Sequence, residues 1–246
     1  MNDEKNVDTY PFQMVGGLDS YAEKLRSSFP LYFLTGTYPW RWNGHEMTRE
    51  PQQDYYWNYR GALRRWIDSE PKNEKAWTHR GMTCANAGEL ENAYGMFVHA
   101  LELAEKDGIM EVAVGRAWNN IKVVEMMQSP WLDKLGCTSN DEKHDIEKGF
   151  DLALHRFTNN SVERGIVLYN SAVFKAKSGS FESALSMFAD AKREAAALES
   201  KNGRALFSIC KRGEVLTKDL EALVKSGLFD VNEPPLNTNP PEPANK

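Results

Sequence analysis

The chain reads EKAWTHRGMTCANAGELENAYGMFVHALELAEK over residues 74–106, and this stretch decides the fold. Apolar and small residues recur at helical spacing on both sides of Ala87 and Gly88, and Pro71 stands just upstream. This spacing collects apolar side chains on one face of a helix. Glycine often follows the last residue of a helix, and proline often stands near a helix boundary. We therefore predict two amphipathic helices that are joined at Ala87-Gly88.

The order of large and small residues in this hairpin resembles the tetratricopeptide repeat (TPR). The matching positions are Trp77, Gly81, Gly88, Ala93, Phe97 and Ala100. In that motif, large and small side chains alternate so that two helices can pack close together. Two positions depart from the motif, because Arg80 stands where leucine is common and Cys84 where an aromatic residue is common. The resemblance implies a TPR hairpin.

The second half of the hairpin recurs later in the chain. GELENAYGMFVHA at 88–100 and GSFESALSMFADA at 179–191 share six of 13 positions, at an offset of 91. A fixed period is typical of stacked helical repeats. The long helices resemble the TPR variety of kinesin light chains, mitotic-spindle adaptors and bacterial peptide-sensing regulators. We predict an all-α fold, a TPR-like right-handed superhelix of about four helical hairpins with an aromatic-rich N-terminal cap.

The predicted organisation has four parts. They are a flexible N-terminal arm (1–15), an aromatic-rich segment with a degenerate leading repeat (16–73), a TPR-like solenoid with a C-terminal capping helix (74–229) and a disordered Pro-rich tail (230–246). A solenoid needs such a cap to cover its open end. One further helix is predicted before the hairpin, at 53–68. The others follow it, at 109–128, 141–157, 161–178, 181–199 and 204–225.

Composition narrows the functional classes. The net charge of −5 argues against nucleic acid, because phosphate binding needs a concentrated positive surface. No run approaches the roughly 18 apolar residues of a membrane span. The first residues have neither a basic leader nor an apolar core, so we expect no signal peptide. Three widely spread cysteines suggest free thiols in a reducing compartment. We expect a cytoplasmic protein.

Motifs of catalysis and metal binding are absent from the sequence. It has no phosphate-binding glycine loop, no GxSxG, no HExxH and no paired-cysteine metal site. One predicted helical face carries His144, Glu147, Asp151 and His155. Its two histidines would lie about 16 Å apart along a helix, too far to bind one zinc ion. We expect a non-catalytic protein without a cofactor or metal.

Asn120 and Asn170 are the strongest candidates for ligand contacts. Each falls on the first helix of a predicted repeat. In the TPR proteins that this chain resembles, asparagines at that site face the concave groove. One side-chain amide offers both donors and an acceptor, so it can bind the N–H and the C=O of an extended peptide. The alternative is that both are merely solvated groove residues.

Other candidate residues of the groove are cationic or apolar. The cations near the starts of their helices, which could hold a carboxylate of a partner, are Lys75, Arg116 and Arg204. The further positions of the carboxylate clamp of chaperone-binding TPRs carry other residues, namely Asn119, Val123 and Ser208. The apolar candidates are Met82, Val123, Met126, Tyr169, Val173 and Phe207. These suit a peptide or helix, and they could equally pack against the protein's own N-terminal segment.

The N-terminal region is unusually aromatic, since residues 10–66 hold 14 of the 27 aromatic residues. It could fold back as a cap on the first repeat, or present Trp40, Trp42 and Trp57 to a partner, because aromatic residues dominate binding hot spots. A stacking platform for single-stranded nucleic acid is the third explanation, and the neighbouring acidic residues disfavour it.

We therefore predict a non-catalytic adaptor or assembly subunit that binds a protein or peptide segment through the groove or the aromatic region. One alternative is a regulatory sensor whose superhelix responds to a small peptide or other ligand. Another is a permanent subunit of a larger assembly.

Overall fold

The computed structural model describes residues 29, 31–34, 53–106, 111–129, 140–198 and 200–226. These residues form α-helices and contain no strand, so the predicted all-α class is confirmed for them. The helices are α1 (Gln53–Ser69), α2 (Glu74–Asn86), α3 (Leu90–Lys106), α4 (Glu111–Gln128), α5 (Asn140–Leu154), α6 (Val162–Lys177), α7 (Phe181–Ala196) and α8 (Lys201–Lys225). Each overlaps a predicted helix. None of the helices in this part of the chain is both long and apolar enough to cross a membrane.

The helices pack in a repeat-like order. Each helix contacts the next one along the chain. In addition, α2 contacts α4, α4 contacts α6, and α6 contacts α8. Helices α2, α4, α6 and α8 therefore lie side by side in this order, which is the arrangement that stacked hairpins produce.

Two hairpin turns at the repeat offset of 91 are built in the same way. Gly88 has a φ of 79° and Gly179 a φ of 84°, in the left-handed region that favours glycine. After α2, the N–H of Glu89 donates to the carbonyl of Cys84 at 2.9 Å. After α6, the N–H of Ser180 donates to the carbonyl of Lys175 at 2.8 Å. Both turns are Schellman motifs, which satisfy the last carbonyls of a helix.

We expect Gly88→Ala to lower the free energy of unfolding by about 1–2 kcal/mol, because an L side chain disfavours this φ. A Cβ at this position would meet no atom within 4 Å, so the backbone alone sets the cost. Gly95→Ala is the matched control, since Gly95 lies inside α3 and its added Cβ also meets nothing. It should raise stability by roughly 0.5–1 kcal/mol. Urea denaturation measures both changes, and equal effects of the two would contradict the assignment of the turn.

Close contact between glycine and phenylalanine fixes the spacing of the helices. Phe97 and Phe188, which occupy equivalent positions in the repeat, have no exposed surface. A Cβ added to Gly81 would lie 2.8 Å from the ring of Phe97. A Cβ added to Gly213 would lie 2.5 Å from the ring of Phe188. Each ring therefore fills space that any larger residue on the facing helix would occupy.

Some sequence-based expectations lie outside the described residues. They concern the N-terminal arm, the Pro-rich tail, Trp40, Trp42, Cys137 and the side chain of Trp57. The other two cysteines, Cys84 and Cys210, are buried and unpaired, as free thiols should be.

Candidate functional site

Residues 31–34, which belong to neither a helix nor a strand, lie across α4 and α6. Three asparagines receive this segment: Asn119 and Asn120 on α4, and Asn170 on α6. We call these three residues the asparagine site. All three side chains have 0% exposure. The alternative that Asn120 and Asn170 are solvated residues is therefore wrong.

Asn120 and Asn170 each bind the main chain of one residue through both ends of the amide. The Oδ1 of Asn120 accepts from the N–H of Leu34 at 2.7 Å, and its Nδ2 donates to the carbonyl of Leu34 at 2.7 Å. The Oδ1 of Asn170 accepts from the N–H of Tyr32 at 3.1 Å, and its Nδ2 donates to the carbonyl of Tyr32 at 2.8 Å. The two bound residues are two apart, the spacing at which an extended chain presents the same edge.

Asn119 joins the two pairs into one network. Its Nδ2 donates to the carbonyl of Tyr32 at 3.2 Å and to the Oδ1 of Asn120 at 3.1 Å. Its Oδ1 accepts from the Nδ2 of Asn170 at 2.9 Å. From the sequence, Asn119 stands only as a mismatch to the carboxylate clamp. The adjacent pair Asn119-Asn120 on a helix whose buried side is mostly apolar, with Lys122 as its other polar residue, is the signal for its role.

The side chains of the segment are bound as well as its main chain. The ring of Tyr32 stands edge-on to that of Tyr169, with centroids 5.3 Å apart. Phe33 stacks on Phe97 with centroids 5.5 Å apart. Leu34 is 1% exposed and belongs to the same apolar core as Phe29. The site therefore combines main-chain recognition with aromatic and aliphatic contacts.

Burial keeps the phenols of the site neutral. It raises the pKa of Tyr32 to about 12 and also raises the pKa of Tyr169. The nearby Arg212 opposes this shift for both residues, because a cation favours phenolate, but burial dominates. The hydroxyl of Tyr169 is buried without a hydrogen-bond partner. The contacts described for this site are those of neutral amides and apolar side chains.

The three predicted cations differ in their exposure. Lys75 and Arg204 are exposed. Arg116 is half-buried, and its Nε has no hydrogen-bond partner. Burial lowers the pKa of Arg116, while Glu74 and Glu163 act in the opposite direction. The role of these three cations in holding a partner's carboxylate stays a prediction.

The predicted apolar residues divide into a buried set and one exposed residue. Those in the core are Met82, Val123, Met126, Tyr169 and Val173. Of these, Tyr169 contacts the ring of Tyr32 directly. Phe207 is 42% exposed. The alternative that such residues pack against the protein's own N-terminal segment is the one observed for Tyr169.

A scan against protein-family models matches no family, and a search of curated proteins finds no similar sequence. Among the described residues, no group of three or more histidine, cysteine, aspartate or glutamate side chains could hold a metal ion. The contacts at the asparagine site therefore indicate its chemistry: an extended main chain carrying apolar side chains.

Proposed function

We propose that this chain is a protein-interaction module that binds an extended, apolar segment of a partner protein at the asparagine site. One observation carries the proposal. Asn120 and Asn170 each pair with the N–H and the C=O of a single residue, and the two residues are two apart. Main-chain hydrogen bonds supply affinity for extended peptides, and pockets for the side chains supply specificity.

The scaffold in this proposal is a TPR-like right-handed superhelix, with the asparagine site on its concave surface. Three features support it: the paired turns at Gly88 and Gly179, the equivalent buried rings of Phe97 and Phe188, and the contacts between every second helix. Stacked repeats of this type form extended binding surfaces. The module would act by binding, as an adaptor or as a subunit of an assembly, and its partner would be a protein or peptide.

Selection of peptides tests the proposal. Ten-residue displayed peptides are selected on full-length Leu34→Lys, because the buried Leu34 position cannot hold an unpaired ammonium group and the protein's own segment then leaves the site. Their Kd values are compared with those for the same protein carrying Asn120→Ala/Asn170→Ala. The double variant loses both amide pairs, and each lost hydrogen bond contributes about 1 kcal/mol. We expect selected peptides to bind it at least about tenfold more weakly, since tenfold corresponds to about 1.4 kcal/mol.

Asn92→Ala is the matched control, because Asn92 is exposed on α3 and its Nδ2 donates to the carboxylate of Glu89. In the Leu34→Lys background it should leave the Kd unchanged. Far-UV circular dichroism confirms that each variant is helical before binding is measured. Equal affinity for Leu34→Lys with and without Asn120→Ala/Asn170→Ala would overturn the proposed function.

A regulatory sensor is the second candidate, and one observation favours it. The asparagine site holds a segment of the chain itself, so a ligand that enters the site must change the position of that segment. A sensor should show a rise in Tm with a small peptide and no partner protein, because a ligand that binds only the folded state stabilises it.

A further inference from the structure

The occupant of the asparagine site comes from a distant part of the same chain. Tyr32 lies 138 residues before Asn170, and Leu34 lies 86 residues before Asn120. The segment runs against the order of the helices, because its earlier residue binds α6 and its later residue binds α4. It lies across these two helices, and its hydrogen bonds to Asn120 and Asn170 use only its main-chain groups.

The same contacts define what else the site would accept. Tyr32 supplies an aromatic ring edge-on to Tyr169, and two residues later Leu34 supplies a buried aliphatic side chain. Phe33, between them, stacks on Phe97. Any extended peptide with an aromatic residue, an intervening apolar residue and then a branched aliphatic residue could make the same contacts. The matching ligand class is an uncharged, extended aromatic–apolar–aliphatic segment.

We infer that residues 31–34 are a built-in competitor for this ligand class, so that a partner segment binds by displacing them. The inference rests on the proposed function. A tethered segment is present at an effective concentration on the order of millimolar, which a free ligand must overcome. The measured association constant for a partner is the intrinsic constant multiplied by the fraction of molecules whose site is vacant, so a small vacant fraction gives weak binding. Displacement therefore sets a threshold below which weak or sparse partners do not bind.

A peptide-binding experiment on full-length proteins tests the inference. The probe is a fluorescein-labelled peptide with the sequence of residues 27–36, SSFPLYFLTG. Leu34→Lys empties the site of its own segment, because the 1% exposed Leu34 position cannot hold an unpaired ammonium group. Tyr94→Lys is the matched control, since it adds the same charge at an exposed aromatic residue of α3. Fluorescence anisotropy gives the Kd for each protein.

We expect Leu34→Lys to bind the peptide at least tenfold more tightly than the intact protein does. Tyr94→Lys should match the intact protein. Addition of Asn120→Ala and Asn170→Ala to Leu34→Lys should weaken binding at least tenfold again. A probe that carries Leu34→Lys in its own sequence should bind none of the proteins.

The remaining outcomes separate the two proposals. Equal binding by the intact protein and Leu34→Lys overturns the inference of competition and leaves the proposed function standing. Absence of binding to both, with Leu34→Lys folded by circular dichroism, overturns the proposed function as well. If Leu34→Lys does not fold, Leu34→Gly replaces it as a milder variant. Loss of the fold in both variants also overturns the inference, because a competitor must be able to leave a folded scaffold.

Discussion

Asn120→Ala should lower the free energy of unfolding by about 2–4 kcal/mol, although it removes only one uncharged side chain. The substitution leaves the N–H and the C=O of Leu34 without partners in a buried position. It also removes the acceptor that Asn119 uses. A buried main-chain group that loses its partner costs about 1–3 kcal/mol. Chemical denaturation, with the slope compared between variants, measures the loss.

The exposed Asn92 provides the control for this prediction, and Asn92→Ala should stay within about 0.5 kcal/mol of the intact protein. A second test combines Asn120→Ala with Leu34→Lys. Once the segment has left the site, the amide of Asn120 has no main chain to bind, so its removal should then cost far less. An unchanged cost in the Leu34→Lys background would show that Asn120 stabilises the helices by another contact.

Phe188→Ala should lower the free energy of unfolding by about 3–5 kcal/mol, the usual range for a buried aromatic residue that leaves a cavity. The ring of Phe188 has no exposed surface, and it stands edge-on to Tyr169 with centroids 5.5 Å apart. It also fills the space above Gly213. Phe207→Ala is the matched control, because Phe207 is 42% exposed. Guanidinium denaturation should show a loss below about 1 kcal/mol for this control.

A double variant tests the contact between Gly213 and the ring of Phe188 directly. In the intact protein, Gly213→Ala should cost about 1–3 kcal/mol, because its Cβ would overlap the ring of Phe188. In the Phe188→Ala background the overlap is gone, and alanine favours a helix by up to about 1 kcal/mol over glycine. The effect of Gly213→Ala should therefore change sign between the two backgrounds. The same sign in both would mean that the ring and the glycine do not set the helix spacing.

The helices could be predicted closely because local signals define them. The predicted helix at 53–68 is observed as Gln53–Ser69, and the predicted last helix at 204–225 begins earlier, at Lys201. The reason for the earlier start is local too, since the hydroxyl of Ser200 accepts from the N–H of Gly203 at 3.0 Å and caps the helix. Helical periodicity and caps act over a few residues, so they can be read from the sequence.

The sequence predicts the chemistry of the asparagine site but does not identify the segment that it binds. The ability of an asparagine amide to pair with both main-chain groups of a peptide residue follows from its chemistry, and the structure has that geometry at Asn120 and Asn170. The identity of the bound segment does not follow from any local pattern. Residues 31–34 and the asparagines that bind them are 86 or more residues apart, and no periodicity connects them. The role of Lys75, Arg116 and Arg204 in holding a partner's carboxylate stays a prediction, because position within a helix does not determine which neighbours a long side chain meets.

The bound segment is synthesised well before the helix that completes its binding site. Tyr32 precedes Asn170 by 138 residues. At roughly 5–20 residues per second, Tyr32 is added to the chain about 7–28 s before Asn170 is added. During that interval the apolar side chains of residues 31–34 have no completed site to enter. The nascent chain therefore offers a hydrophobic stretch to molecular chaperones for many seconds, and translation must pass α6 before the protein can cover it.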